Sequence, residues 1–275
     1  MPRRMILRDR TAVVTGAASG IGRAIAISLT RRGCHLALAD INESQLAETA
    51  RLAAAPNLRI TCHGLDVADR KAVACFPSVV MAAHGRVDIL VNNAGVALGG
   101  TFDQVSEADF DWLFEINFWG VVRMTRAFLP HLRASDDARL VNLSSVYGLV
   151  SPPGQTAYSA SKFAVRGFSQ SLRFELKDSK IGVTVIHPGG VATAIARNAR
   201  VPKGLMSVEE EEQRRSAAEK LLRMPPEMAG EIIVQGIERR KARVLVGTDA
   251  KIISLIERVA PVSYLKILAQ FGPRR

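Results

Sequence analysis

A chain of 275 residues with 48% hydrophobic side chains can bury the core of one large α/β domain, and no linker-like or repetitive stretch divides it. Its 37 Lys and Arg against 26 Asp and Glu leave a formal charge of +11, but the cations are dispersed and form no nucleic-acid-binding motif, so solubility is the simpler reading and no nucleic-acid partner is expected. No stretch reaches the ~18 apolar residues of a membrane span, no apolar signal core follows the basic start, and three scattered cysteines fit a reducing cytoplasm better than a disulfide framework or a metal site.

Taken in order, Thr11–Thr15 is a β-branched run leading into Gly16-Ala17-Ala18-Ser19-Gly20-Ile21-Gly22 and an apolar-periodic helix to about Arg32. Gly16 permits the turn out of the strand, while Gly20 and Gly22 let the backbone approach a pyrophosphate at the helix N-terminus. The G-x-x-x-G-x-G spacing departs from the G-x-G-x-x-G fingerprint. The next apolar run, 35–39, ends in Asp40, which can accept hydrogen bonds from ribose hydroxyls and would repel a 2′-phosphate. With no cation at Ile41 or Asn42, NAD is expected over NADP, Arg23 being the nearby residue that could still accommodate the extra phosphate.

Residues 58–64 read as a third strand. Asp66, beside Val67, either hydrogen-bonds an adenine amine or caps a helix before Arg70 and Lys71. A fourth strand at 87–91 closes in Asn92-Asn93-Ala94-Gly95, whose small residues suit close approach to a ligand or a plain turn. A helix is predicted over about 106–131, and inside it the Asn117 amide, among Ile116, Phe118 and Trp119, needs a partner such as an ordered water if buried.

A fifth strand at 139–143 places Ser145 at its C-terminal edge, where open α/β sheets bind ligands and a hydroxyl can polarise a carbonyl. The helix predicted over about 157–177 opens with Tyr158-Ser159-Ala160-Ser161-Lys162, and residues four apart share one helix face, so ammonium and phenol are neighbours. Lowering a tyrosine pKa by about three units requires ~4 kcal/mol, which a lysine in a cleft beside a positively charged cofactor could supply. After a sixth strand at 182–187, the turn Pro188-Gly189-Gly190-Val191-Ala192-Thr193 brings a hydroxyl that could meet a nicotinamide amide. His187, directly before a proline, reads as a packed or capping residue, not a catalytic base.

Thr15-Gly16-x-x-x-Gly20-x-Gly22, Asp66, Asn92-Asn93-Ala94-Gly95, Asn117, Ser145, Tyr158-x-x-x-Lys162 and Pro188-Gly189 occur in this order, and with them the chain resembles the short-chain dehydrogenase/reductase family over roughly residues 8–195. The resemblance implies a Rossmann-like α/β fold, a doubly wound seven-stranded parallel sheet between two helix layers, and a homodimer or homotetramer. It implies a catalytic tetrad of Asn117, Ser145, Tyr158 and Lys162. In it the tyrosine exchanges the proton, the serine hydrogen-bonds the reacting oxygen, the lysine binds the nicotinamide ribose and lowers the tyrosine pKa, and the asparagine holds a relay water. The expected cofactor contacts are Gly16, Ser19, Gly20, Ile21 and Gly22 in the loop, then Asp40, Asp66, Val67, Asn93, Ala94 and Gly95, and finally Tyr158, Lys162, Pro188, Gly189, Val191 and Thr193.

The catalytic domain is expected to span 1–247, with a substrate loop and lid at 194–224 and a C-terminal helical extension at 248–275. Within the lid, Ser207 with Glu210 forms a capping box, Glu210–Arg214 and Glu211–Arg215 are helix-supporting pairs, and the acidic block 209–212 is a solvated first turn. Arg197, Arg200 and Lys203 could meet an anionic substrate tail, although a mobile charged loop without a direct role is simpler. In the extension, Ile252, Ile253, Leu255, Ile256 and Val259 form an apolar stripe broken by Pro261, and Leu265, Ile267, Leu268 and Phe271 follow among basic residues. It is expected to pack on the domain or a subunit, the alternatives being a cap on a lipophilic pocket or a weak membrane-surface contact. The functional expectation is an NAD(P)-dependent oxidoreductase interconverting a secondary alcohol and a ketone on a hydrophobic or lipid-like molecule. A 3-oxoacyl thioester reductase is the chemical alternative, and a non-catalytic NAD-binding regulator is the alternative of another class.

Overall fold

The computed structural model describes residues 4–202 and 222–271. Seven strands, β1 (Thr11–Thr15), β2 (His35–Asp40), β3 (Ile60–Gly64), β4 (Ile89–Asn92), β5 (Ala138–Leu143), β6 (Ile181–Pro188) and β7 (Arg243–Val246), form one sheet in the order β3-β2-β1-β4-β5-β6-β7. Every adjacent pair is parallel. The runs are apolar with little alternation because both faces are covered: Val14 and Ile89 pack on one side, Val13 and Leu90 on the other. The first face carries α1 (Gly20–Thr30), α2 (Glu43–Ala53) and α7 (Pro226–Glu238), and the second α3 (Arg70–His84), α5 (Gly120–Ala134) and α6 (Thr156–Glu175). Strand order reverses between β1 and β4, and the loops leaving these two strands stand side by side at the C-terminal edge, where such sheets bind ligands.

Two expectations change. The long helix over 106–131 is two helices, α4 (Glu107–Phe114) and α5, joined by a π-helical turn at Glu115–Trp119. The periodicity runs on across the junction, and one wide turn leaves the composition of a helix unaltered. The cap of α3 is Asp69, whose Oδ1 accepts from Lys71 N at 2.8 Å and Ala72 N at 3.0 Å; Asp66 instead closes the preceding turn through Ala68 N at 2.8 Å. In the extension, α8 (Thr248–Val259) buries Ala250 and Ser254 and turns Ile252, Leu255 and Val259 of the apolar stripe to the outside. Small residues on the inner face let α8 lie close to β7 and to the turn at Val146–Gly148. The last helix, α9 (Tyr264–Phe271), is pinned where Ser151 N donates to the Tyr264 hydroxyl at 3.0 Å. The capping box, ion pairs and Lys203 expected in the lid lie outside the described residues. Among the described residues no helix is long and apolar enough to cross a membrane.

Candidate active site

Chain geometry brings the expected residues to one edge. β5 ends at Leu143, and Ser145 follows in extended conformation with its hydroxyl accepting from Tyr147 N at 3.1 Å, so the side chain caps a short 3-10 turn and is held at the rim. Opposite it, the first turn of α6 carries Tyr158, and Lys162 one turn later places Nζ 5.6 Å from the centre of the tyrosine ring. Two anchors hold this end of α6 against β5: Ser144 Oγ donates to Lys162 O at 2.8 Å, and Lys162 Nζ donates to Leu143 O at 3.3 Å.

Asn117 lies inside the π-helical turn and is fully buried. Its Oδ1 accepts from Val96 N at 2.8 Å, and its Nδ2 donates to Val96 O at 3.0 Å and to Ser161 Oγ at 3.2 Å. Both amide hydrogens are therefore committed, and the partner the sequence demanded is the Val96 backbone and Ser161. A relay water would be held through the second lone pair of Oδ1 or through main-chain groups of the wide turn. Ser161 also donates to Tyr158 O at 2.7 Å, so Asn117 and Tyr158 are coupled through a serine that sequence reasoning passed over. Its position three residues after Tyr158 on one helix was the available signal.

The glycine loop meets this group from the β1–β4 side. Asn93 Nδ2 donates to Thr15 O at 3.0 Å and Gly16 O at 2.8 Å, and Thr15 Oγ1 accepts from the backbone N–H groups of Asn93 and Ala94, so the loops after β1 and β4 form one unit. Gly16 takes φ +62°, and an added methyl group there would strike Ala94 at 2.7 Å. Gly22 is required for packing, since a methyl group would lie 2.0 Å from Gly16 O and 2.5 Å from Asn93 Nδ2. Of the three glycines, Gly20 faces Thr193, and with it Ser19 and Ile21 start α1. Gly95 is the join between loop and tetrad: a methyl group there would come within 3.1 Å of Asn117 Oδ1 and 3.3 Å of Lys162 Nζ.

Asp40 accepts from Ala18 N at 2.9 Å and Asn42 N at 3.0 Å, which fixes its carboxylate against the glycine loop. Arg23 spends its donors on Thr49 Oγ1 at 2.9 Å, Gln45 Oε1 at 2.8 Å and Ala18 O. Val67 is buried against Gly120 beneath the same edge. On the far side, Gly189 N donates to Val246 O, Gly190 N to Asp249 Oδ2 at 2.6 Å, and Val191 pairs with Met224, so the turn after Pro188 is tied to the strand and helix beyond it. His187 is buried, its Nδ1 2.9 Å from Ser145 O, and burial pushes its pKa down to about 4. It holds the serine's backbone and stays neutral, as its position before proline implied.

Burial governs the two titrating groups. It pushes the Tyr158 phenol up to about 12, against a downward pull from the Ser145 hydroxyl, and pushes the Lys162 ammonium down to about 8. In the protein alone burial therefore sets the direction for both groups, because removing either from water disfavours its charged form. Lys162 is 96% buried and, among the described residues, has a single carbonyl partner and no carboxylate beside it, leaving ammonium donors for ligand hydroxyls. That is the fit expected of a ribose-binding lysine.

A family model described as short chain dehydrogenase matches residues 10–203. The Mycobacterium tuberculosis protein SadH, which carries an oxidoreductase name, is 43% identical over 266 residues, covering 94% of each chain. Among solved structures, a short-chain dehydrogenase/reductase from Burkholderia phymatum in complex with NAD is similar at 28% identity and a TM-score of 0.84, covering 98% of both chains. A metagenomic short-chain oxidoreductase in complex with NADP is 35% identical with a TM-score of 0.64, over 68% of this chain and 85% of that one. With its parallel seven-stranded sheet and these relatives, the chain belongs to the short-chain dehydrogenase/reductase family of oxidoreductases acting on CH–OH groups.

Proposed function

We propose that residues 1–247 form a nicotinamide-dependent catalytic domain that interconverts a hydrophobic secondary alcohol and its ketone, with Asn117, Ser145, Tyr158 and Lys162 as the working groups. The observation that carries this is the meeting of Ser145, Tyr158 and the carboxylate-free, buried Lys162 at the edge where Gly95 joins the nucleotide loops. When bound, a nicotinamide dinucleotide supplies or takes the hydride. Tyr158, with its pKa held high, donates a proton to the carbonyl oxygen in reduction and takes it back in oxidation. Ser145 hydrogen-bonds the same oxygen. Lys162 holds the ribose hydroxyls and adds the positive charge that favours the phenolate. Asn117 keeps the loop at Val96 and the start of α6 in register through Ser161.

NAD is the favoured cofactor. Asp40 is fixed at the loop where a 2′-phosphate would meet its charge, and Arg23, the cation that could offset it, is held toward Ala18, Gln45 and Thr49 through Nε and Nη2. Gly16, Ser19, Gly20, Ile21 and Gly22 frame the pyrophosphate, Asp66 and Val67 the adenine side, and Asn93, Ala94, Gly95, Pro188, Gly189, Val191 and Thr193 the nicotinamide side.

The apolar substrate reading rests on the surroundings of Tyr158, which packs against Leu98, Leu113 and Ala157, as Val96, Phe110 and Trp112 also do. Arg200, a candidate for an anionic tail, pairs with Asp109 at 2.8 Å and lies 3.6 Å over the Trp112 ring, so its charge is occupied. This weighs against a 3-oxoacyl thioester on a phosphorylated carrier. The outward row Ile252, Leu255 and Val259 suits a contact between copies in a homodimer or homotetramer, with a membrane surface as the second reading. The free state of Cys34, Cys62 and Cys75 agrees with a cytoplasmic setting. The test follows nicotinamide absorbance over secondary alcohols graded from short aliphatics to steroids and 3-hydroxyacyl thioesters, with Tyr158→Phe in parallel. Turnover that rises with apolar size and vanishes in the variant supports the reading. A best rate on the thioester, or turnover that survives Tyr158→Phe, defeats it.

A further inference from the structure

The opposite end of the sheet holds a second polar recess. A cavity of about 840 Å³ opens beneath the N-terminal ends of β5 and β6, walled by the last turn of α6, the turn at Ser179 and Lys180, and the approach to β7 at Arg240 and Ala242. At ~3.3 Å per strand residue it lies about 20 Å from Ser145. Its lining carries seven arginine and lysine residues against two aspartates, a formal excess of five positive charges (seven minus two). The aspartates are already committed. Asp136 is paired with Arg10, and Asp137 accepts a two-pronged bond from Arg240, one branch at 2.7 Å.

Among the described residues, Arg139, Arg173, Lys177 and Lys180 form no ion pair, and Asp137, already held by Arg240, is the carboxylate that acts on Arg139. Arg139 is the unusual member. It is 96% buried, its guanidinium lies against Gly182, where a methyl group would come within 1.8 Å of Nη1, and its buried Nε has no hydrogen-bond partner. Burial and the nearby charge of Arg240 push its pKa down to about 10, which still leaves it a cation at neutral pH. A buried guanidinium donor left unmet is costly unless a further group completes it. At the mouth stand the exposed Arg173, over the Phe174 ring at 4.7 Å, with Lys177 and Lys180.

We propose that this cavity binds a multiply charged phosphate, either inorganic pyrophosphate or the diphosphate of a nucleotide, with Arg139 meeting it from inside and Arg173, Lys177 and Lys180 from the rim. The volume falls within the range of small-ligand sites. The guanidinium fork matches phosphate oxygens, and a ligand bearing three or four negative charges is the small species that offsets an excess of this size. Cations focused in a recess also raise the local anion concentration.

The experiment is calorimetric titration of pyrophosphate, and separately of ADP, into the full chain saturated with NAD so that the dinucleotide loop is blocked. Pyrophosphate is expected to bind with a sub-millimolar Kd that weakens at least tenfold in Arg139→Met and in the double variant Arg173→Ala/Lys177→Ala. The double variant alters only exposed side chains and keeps the test decisive if the buried change impairs folding. ADP binding more tightly than pyrophosphate supports the site with a nucleoside half, and equal binding supports it through phosphates alone. No heat with either ligand, equal affinity in the double variant, or binding seen only when NAD is omitted would overturn the proposal.

Discussion

Lys162 and Arg139 are buried cations near the two ends of β5, each 96% removed from solvent and each with its pKa depressed by burial. Their surroundings differ. Lys162 stands among neutral polar groups, bonded to a strand carbonyl, with a tyrosine ring alongside and a glycine opening the space above it. Arg139 stands among other cations, its own Nε unmet. By contrast, buried Asp88 gathers Arg10, Arg86, Ser135 and the Thr11 N–H, the ordinary solution for a charge kept in the interior. A buried charge lacking such neighbours makes sense where a ligand completes it, a lone cation among neutral groups suiting hydroxyls and a cluster of cations suiting an anion.

The comparison breaks most sharply at the proton donor. Tyr158→Phe is expected to lower kcat/KM by about 10²–10⁴-fold while leaving NADH binding, read by fluorescence titration, within about twofold. Lys162→Met is expected to cost both activity and dinucleotide affinity, yet to raise the melting temperature of the ligand-free protein by on the order of 2–5 °C, since it removes a partly unmet buried charge. The sign follows from linkage. With a folded pKa of about 8 against ~10.4 unfolded, the lysine's burden is fully felt below pH 8 and relieved as pH rises toward 10, so the stability gap between wild type and variant should narrow over that interval. Arg139→Met should match the stability gain while leaving turnover unchanged, which separates the two cations by function. The raised phenol pKa of Tyr158 predicts that ketone reduction falls and alcohol oxidation climbs as pH increases toward the alkaline range, read from kcat/KM profiles in both directions. Smaller in scale, Asp40→Ser should improve NADP affinity by roughly tenfold relative to NAD by removing a carboxylate fixed at the loop. Smallest, Leu255→Asp on the outward face of α8 should shift the sedimentation profile toward smaller species, with chemistry per chain retained.

Much of this was readable in the sequence because the signals were local. Strands buried on both faces read as apolar runs, the glycine loop follows the first of them, and a four-residue spacing on one helix sets tyrosine beside lysine. What escaped reading depended on neighbours distant in the chain. The Arg139 recess is assembled from β5, the end of α6 and the approach to β7, and no spacing rule joins them. Asp66 reads as a possible cap from its sequence position, and only the chain's path gives that role to Asp69. The outward row of α8 carries the same period as a buried one, so periodicity identified the helix and left open which way it faced.

The π-helical turn at Glu115–Trp119 has a further consequence for engineering. It holds one residue more than an α-helical turn, and each residue of an α-helix advances the chain by about 100°. A turn that takes an extra residue keeps the helices on either side in phase, so deleting one residue from this stretch would close it to a regular α-helical turn and move the side chains within it. Asn117, which lies inside the turn and is bonded to Val96 and Ser161, would lose its position against both. A one-residue deletion here is thus a lever on the join between the loop at Val96 and the start of α6 while α4 and α5 stay in line, a coarser control than any substitution at the walls themselves.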